Sequence, residues 1–145
     1  MSERPYIVDS DGSRRDGDIQ RAGEDRTLRF DSQDLSFIRV DHQTRLQFGG
    51  TEVVIESPFS LRAEDRELQL DPGDRASLGP ILTLYPDSLA SASVDEGGTL
   101  RLDFASGARI VVPQDPRYEA WQVNGPGTYL VVCMPGTTGD LSIWS

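Results

Sequence analysis

Apolar and polar positions alternate most clearly along the stretch that follows residue 94. Leu100, Leu102 and Phe104 are separated by single charged residues, which is the period of two expected for a half-buried strand. A turn at residues 105–107 follows, and the β-branched run at residues 110–112 ends at a proline, which cannot donate to a strand ladder. A glycine pair upstream offers a tight turn before the first of these strands. The pattern predicts a three-stranded antiparallel meander.

A similar pattern occurs roughly 55 residues earlier, as expected for an internal repeat. The candidate strands there are residues 35–40, 44–48 and 52–56. Val40–Phe48 aligns with Val94–Phe104 when two residues are added to the later hairpin. Each copy ends at a proline with an aromatic residue after it; the pairs are Pro58 with Phe59 and Pro113 with Tyr118. We interpret this as an internal duplication, with pseudo-repeats over residues 35–70 and 89–144.

A short helical segment is expected between the two copies, near residues 72–84. Asp71 suits the N-cap, and Pro72 suits the first helical position because its φ is already fixed. The residues predicted to share one helical face are Leu78, Ile81, Leu82 and Tyr85. Pro80 interrupts that face, so one or two short helical turns are predicted.

The whole chain fits one domain, residues 1–145, of a mainly β (α+β) class. Two duplicated antiparallel meander units share one core, and residues 128–134 and 141–144 add two further strands. The residues expected in the core are Phe48, Ile55, Leu102, Phe104, Ile110 and Trp121. Residues 1–26 are mostly polar and are predicted to form a flexible or loosely packed arm.

Charge narrows the class of partner. The chain has 24 acidic against 14 basic residues, a formal net charge of −10, and every basic residue in that count is arginine. Such a surface repels phosphate backbones, so we expect no nucleic-acid partner; a basic protein partner fits the charge, although solubility alone also accounts for it. No apolar run is long enough for a bilayer, the N-terminus has no signal-like apolar region, and a single cysteine excludes an internal disulfide. We therefore expect a cytoplasmic protein without a membrane partner.

Several motifs of the second half occur together in one protein family. They are Leu70-Asp71-Pro72, the hairpin G-T-L-R-L-D-F-A-S-G from Gly98, D-P-R-Y-E-A-W from Asp115, and V-C-M-P-G followed by L-S-I-W at the end. With them the chain resembles a family of small bacterial proteins of unknown function, mostly actinobacterial, and residues 136–140 lengthen its last turn relative to that family. The resemblance covers Pro58 to Trp144 and implies no active site. Small acidic domains of this kind also resemble immunity proteins of toxin–antitoxin loci.

Few residues suit covalent or metal chemistry. His42 is the only histidine and lies in a predicted turn, where a solvated side chain is expected. Cys133 lies in an apolar run and should be a small buried hydrophobe. The acidic run after Asp9 has some features of a calcium loop, but Gln20 stands where the closing glutamate would be required. We expect no enzyme activity, no metal and no cofactor.

The D-P-R-Y-E-A-W element is the remaining candidate site. Either its aromatic residues pack against the hairpin, which is the favoured interpretation, or they form an exposed aromatic–acidic patch that anchors a partner. The residues of that patch are Asp115, Tyr118, Glu119 and Trp121. The leading functional hypothesis is a small acidic binding protein, of immunity type, that acts by surface contact. The alternative is a small-ligand-binding β domain or a hydrolase that uses carboxylates.

Overall fold

Two antiparallel sheets make up most of the protein. The computed structural model describes residues 6–8, 14–15, 19–20, 26–125, 130–137 and 139–144. The strands are β1 Tyr6–Val8, β2 Arg14–Arg15, β3 Ile19–Gln20, β4 Arg26–Arg29, β5 Phe37–Val40, β6 Thr44–Phe48, β7 Thr51–Ile55, β8 Phe59–Ala63, β9 Arg66–Leu70, β10 Leu89–Val94, β11 Leu100–Phe104, β12 Arg109–Val112, β13 Trp121–Asn124, β14 Leu130–Cys133 and β15 Leu141–Trp144. A 3₁₀ helix, Arg75–Leu84, lies between β9 and β10.

The first sheet has eight strands in the order β2-β1-β4-β10-β11-β12-β8-β9. The second has seven, in the order β3-β15-β14-β13-β7-β6-β5. One apolar cluster takes side chains from both sheets, and the rings of Phe48 in β6 and Phe104 in β11 lie 6.3 Å apart across it. The mainly β class with a shared core is therefore confirmed.

Both predicted meanders are present. β5, β6 and β7 pair in sequence order, and so do β10, β11 and β12. Leu100, Leu102 and Phe104 point into the core, while Arg101 between them is exposed. The other residues predicted for the core are also buried; they are Phe48, Ile55, Ile110 and Trp121. Alternation with a period of two therefore assigned the faces of these strands correctly.

Each meander lies in the same sheet as the hairpin that follows the other meander. β8 and β9 follow β7 in the chain, yet β8 pairs with β12 in the first sheet. β13 and β14 follow β12, yet β13 pairs with β7 in the second sheet. The internal duplication itself stays a prediction.

The register changes one detail of the proposed repeat. Trp121 lies opposite Ile55, and continuing the β12–β8 register by one residue places Phe59 opposite Val112. Under the proposed repeat, Trp121 would then take the place in the second sheet that Phe59 takes in the first, because residues 113–120 form a longer crossing between the sheets before β13 begins.

The helix begins later than predicted and has a different buried face. Its N-cap is Asp74, without a side-chain capping bond, whereas the Asp71 carboxylate accepts the Gly73 N–H at 2.8 Å in a turn before the helix. The buried residues are Leu78, Ile81 and Leu84, and Leu82 and Tyr85 are exposed. A 3₁₀ helix repeats every three residues, so positions three apart share a face, and the assumed period of 3.6 was wrong here.

The described parts of the predicted N-terminal arm are paired with the sheets. β1 lies between β2 and β4, and β3 pairs with β15. The remainder of that arm, including most of the calcium-like run, lies outside the described residues. Within the described part of the chain, no helix is long and apolar enough to cross a membrane.

Candidate functional site

Three loops meet at one end of the sandwich, and we call them the acidic loop cluster: residues 95–98, 114–119, and 134–137 with 139–140. Gln114 joins two of them, since its Nε2 donates to the Met134 carbonyl at 2.8 Å and its Oε1 accepts the Gly139 N–H at 2.9 Å. The Asp115 carbonyl accepts the Gly136 N–H at 2.9 Å. These bonds join the second and third loops, and the first loop packs against Gly139 of the third.

The described residues of this cluster include five carboxylates and one basic residue, Arg117. The carboxylates belong to Asp95, Glu96, Asp115, Glu119 and Asp140. The Asp115 carboxylate accepts the N–H groups of Arg117 and Tyr118 at 2.8 and 3.1 Å, and so fixes the loop that presents Tyr118. The excess of negative charge is therefore carried on a backbone that hydrogen bonds hold in place.

The structure divides the four predicted site residues. Tyr118 is 66% exposed, Glu119 is exposed and Asp115 is partly buried. Trp121 is fully buried, and its indole N–H donates to the Gly98 carbonyl at 3.0 Å. Trp121 is therefore a core residue and cannot contact a partner, because β13 begins at this position and turns the side chain inward.

Cys133 lies beside Trp121 in the same buried pocket, as expected for a small hydrophobe. Its Sγ is 3.5 Å from the Gly98 carbonyl. Burial, and secondarily the negative charge of Glu119, raises the pKa of the Cys133 thiol to about 12. The thiol stays protonated at neutral pH and is a poor nucleophile there.

His42 is exposed in the turn between β5 and β6. Its neighbour Asp41 accepts the Gln43 N–H at 2.9 Å and forms ion pairs with Arg39 at 3.3 Å and Arg45 at 3.6 Å. That backbone hydrogen bond first, and the nearby Arg45 second, hold the pKa of Asp41 below its usual value. These contacts close the turn, which is a structural role for Asp41.

A second surface, which the sequence did not indicate, contains large exposed apolar side chains. Phe37, Leu82 and Tyr85 are 50%, 61% and 56% exposed, and with Ser36 and Ile38 they line a shallow groove of about 430 Å³. We call it the Tyr85 groove. The sequence signal that could have revealed this groove is Pro80, because a proline inside the segment disfavours an α-helix. In a 3₁₀ helix, positions three apart share a face, so Leu82 and Tyr85 lie together on the exposed side.

Tyr85 also borders a neighbouring depression of about 330 Å³ that contains Glu64 and Asp87. Asp87 accepts the N–H groups of Ser88 at 2.8 Å and Ser106 at 3.3 Å, and the Ser106 hydroxyl donates to its other oxygen. The Asp87 carboxylate is thus fixed in place. Among the described residues, no group of three or more His, Cys, Asp or Glu side chains could hold a metal ion.

Comparison with known proteins assigns the chain to a family. The model of a family of unknown function, DUF6188, matches residues 26–145. The chain belongs to this family. The match to DUF6188 extends upstream of the motifs noted in the sequence, and it includes both meanders, the acidic loop cluster and the Tyr85 groove. No curated protein and no solved structure matches the chain.

Proposed function

We propose that this DUF6188 protein is a non-enzymatic binding protein that recognises a basic protein partner through the acidic loop cluster. The observation that carries the proposal is the position of Tyr118, an exposed aromatic side chain on one of three adjoining loops that together carry five carboxylates. Exposed tyrosines anchor many protein interfaces because they offer a large rigid surface with one polar tip.

The charge of the chain supports the same kind of partner. A net charge of −10 attracts a basic surface over several ångströms and speeds its encounter, while like-charged partners are repelled. Between exposed groups this attraction is screened by salt. Association through the acidic loop cluster should therefore slow as ionic strength rises.

The mode of action that we propose is blocking of the partner, as an immunity protein blocks a toxin, in the bacterial cytoplasm.

Affinity capture with matched variants tests the proposal. The full chain is immobilised and exposed to an extract of its source organism, in parallel with Tyr118→Ala/Glu119→Arg and with Glu67→Arg as control. Glu67 is exposed on β9, so the control makes the same charge change on another surface. We expect a basic protein that the wild type and the control retain, and that the double variant loses.

The captured protein should also elute as the salt concentration is raised. Circular dichroism checks that each variant is folded. Equal capture by all three proteins, or capture of acidic proteins alone, would contradict the proposal.

A further inference from the structure

The Tyr85 groove differs in chemistry from the acidic loop cluster and lies at the other end of the sandwich. β10 runs from Leu89, two residues after Asp87, to Val94, which immediately precedes the 95–98 turn. The groove is therefore a separate surface. We infer that it binds an extended segment of a partner protein in which a large apolar side chain is next to a lysine or an arginine.

The first support is the strand that borders the groove. β5 is the last strand of its sheet, and no described strand pairs with its other side. The Asp41 N–H donates to the Gln43 carbonyl at 3.0 Å, which makes these two a hydrogen-bonded pair. Because bonded and non-bonded pairs alternate in an antiparallel ladder, the backbone groups of Ile38 and Val40 point to the open edge.

An open edge of this kind can accept one more strand from another chain. The added segment would supply main-chain hydrogen bonds to Ile38 and Val40. Its alternate side chains would then lie over the groove, because successive side chains of a strand point to opposite faces.

The second support is the apolar lining. Phe37 from β5, Leu82 from the helix and Tyr85 just after the helix all line the groove. These are three of the five large apolar side chains that are exposed among the described residues. Apolar side chains that gather in one concave place are typical of an interaction site rather than of an ordinary surface.

The third support is charge complementarity in the adjoining depression. Glu64 and Asp87 are its charged residues, and none of the described arginines lines either depression. The bonds from Ser88 and Ser106 hold the Asp87 carboxylate in position without neutralising it. A basic side chain that follows an apolar one along the added strand would pass over Tyr85 and reach these carboxylates.

A peptide selection tests the inference on the full chain. Random ten-residue peptides displayed on phage are selected for binding, and the best is synthesised with two counterparts, one with the basic residue replaced by Glu and one with the apolar residue replaced by Ala. We expect selected peptides to combine a large apolar residue with an adjacent Lys or Arg. Each replacement should weaken binding by about tenfold or more.

Matched variants of the protein locate the binding site. Leu82→Ala/Tyr85→Ala should weaken peptide binding by about tenfold or more, since both side chains are exposed and their loss should leave the fold intact. Tyr118→Ala, at the other end of the sandwich, should leave it unchanged. Hydrogen exchange should show that the peptide protects the N–H groups of Ile38 and Val40.

Three results would overturn the inference. One is a selection that yields no binders, or binders without a basic residue. The second is peptide binding that Leu82→Ala/Tyr85→Ala does not weaken. The third is a dimer of the chain in light scattering that Phe37→Asp converts to a monomer, because the groove would then be covered by a second copy. The acidic loop cluster is tested separately through Tyr118, so either surface can fail alone.

Discussion

The Cys133 thiol shows how strongly the surroundings of a side chain can change its pKa. It is fully buried, and its pKa is raised to about 12 in the folded protein from 9.0 for an unperturbed thiol. The folded state therefore binds more protons than the unfolded state between pH 9 and pH 12. Stability from this group is complete below pH 9 and is lost as the pH rises towards 12.

Replacing this thiol should change the pH dependence of stability. In Cys133→Ala the free energy of unfolding should fall less steeply between pH 9 and pH 12 than in the wild type. Urea denaturation at a series of pH values measures both curves, and their difference isolates the contribution of the thiol. Parallel curves would show that the thiol is not held in its protonated form.

Trp121 and Tyr118 show what the sequence could not decide at this scale. They belong to one seven-residue motif, yet one is fully buried and the other is 66% exposed. The boundary between them is the start of β13, which is set by pairing with Ile55, far away in the sequence. Local alternation contains no information about such a long-range register, so the motif could not show which of its residues are accessible.

At the scale of elements, the position of the helix could be predicted from local sequence, but the face that it buries could not. Its place in the chain was predicted from Pro72 and the apolar spacing, and the segment is present as Arg75–Leu84. Its inward face could not be predicted, because the choice between 3.0 and 3.6 residues per turn depends on packing against the sheets. The observed period places Ile81 in the core and leaves Leu82 outside.

Two neighbouring substitutions distinguish these periods. Ile81→Ala should lower the free energy of unfolding by about 2–5 kcal/mol, since a fully buried aliphatic side chain leaves a cavity. Leu82→Ala should change it by less than about 0.5 kcal/mol, because the side chain is 61% exposed. Urea denaturation of both variants provides the measurement. Similar losses in the two would favour an α-helical face.

Basic and acidic side chains lie in different kinds of element. Most described arginines lie on strands, among them Arg29, Arg39, Arg45, Arg62, Arg101 and Arg109. Most described carboxylates lie in the loops at the sheet ends, where the acidic loop cluster and the Glu64–Asp87 depression are found. Net charge alone predicted an acidic surface, but only the topology shows that most described carboxylates lie in the loops that join the strands.

At the scale of the whole molecule, each meander is paired with the hairpin that follows the other meander. Each half of the chain therefore depends on the other half for its folding. The strands β5 to β7 have β13 as a neighbour, and β10 to β12 have β8. A fragment that ends before the helix would therefore expose the pairing edges of both β7 and β8. The apolar cluster would also be divided, because it draws side chains from both halves.

Two fragments, residues 1–74 and 75–145, should consequently be unfolded when separate and should form a folded complex when mixed. Far-UV circular dichroism melts and the dispersion of amide proton signals in NMR spectra distinguish these states. The control is the intact chain cleaved by a site-specific protease at an inserted site after residue 74, which should remain folded because every strand pair survives the cut. A cooperative melt of residues 75–145 alone would mean that one meander unit is an independent folding unit, and that the shared core is not required for its stability.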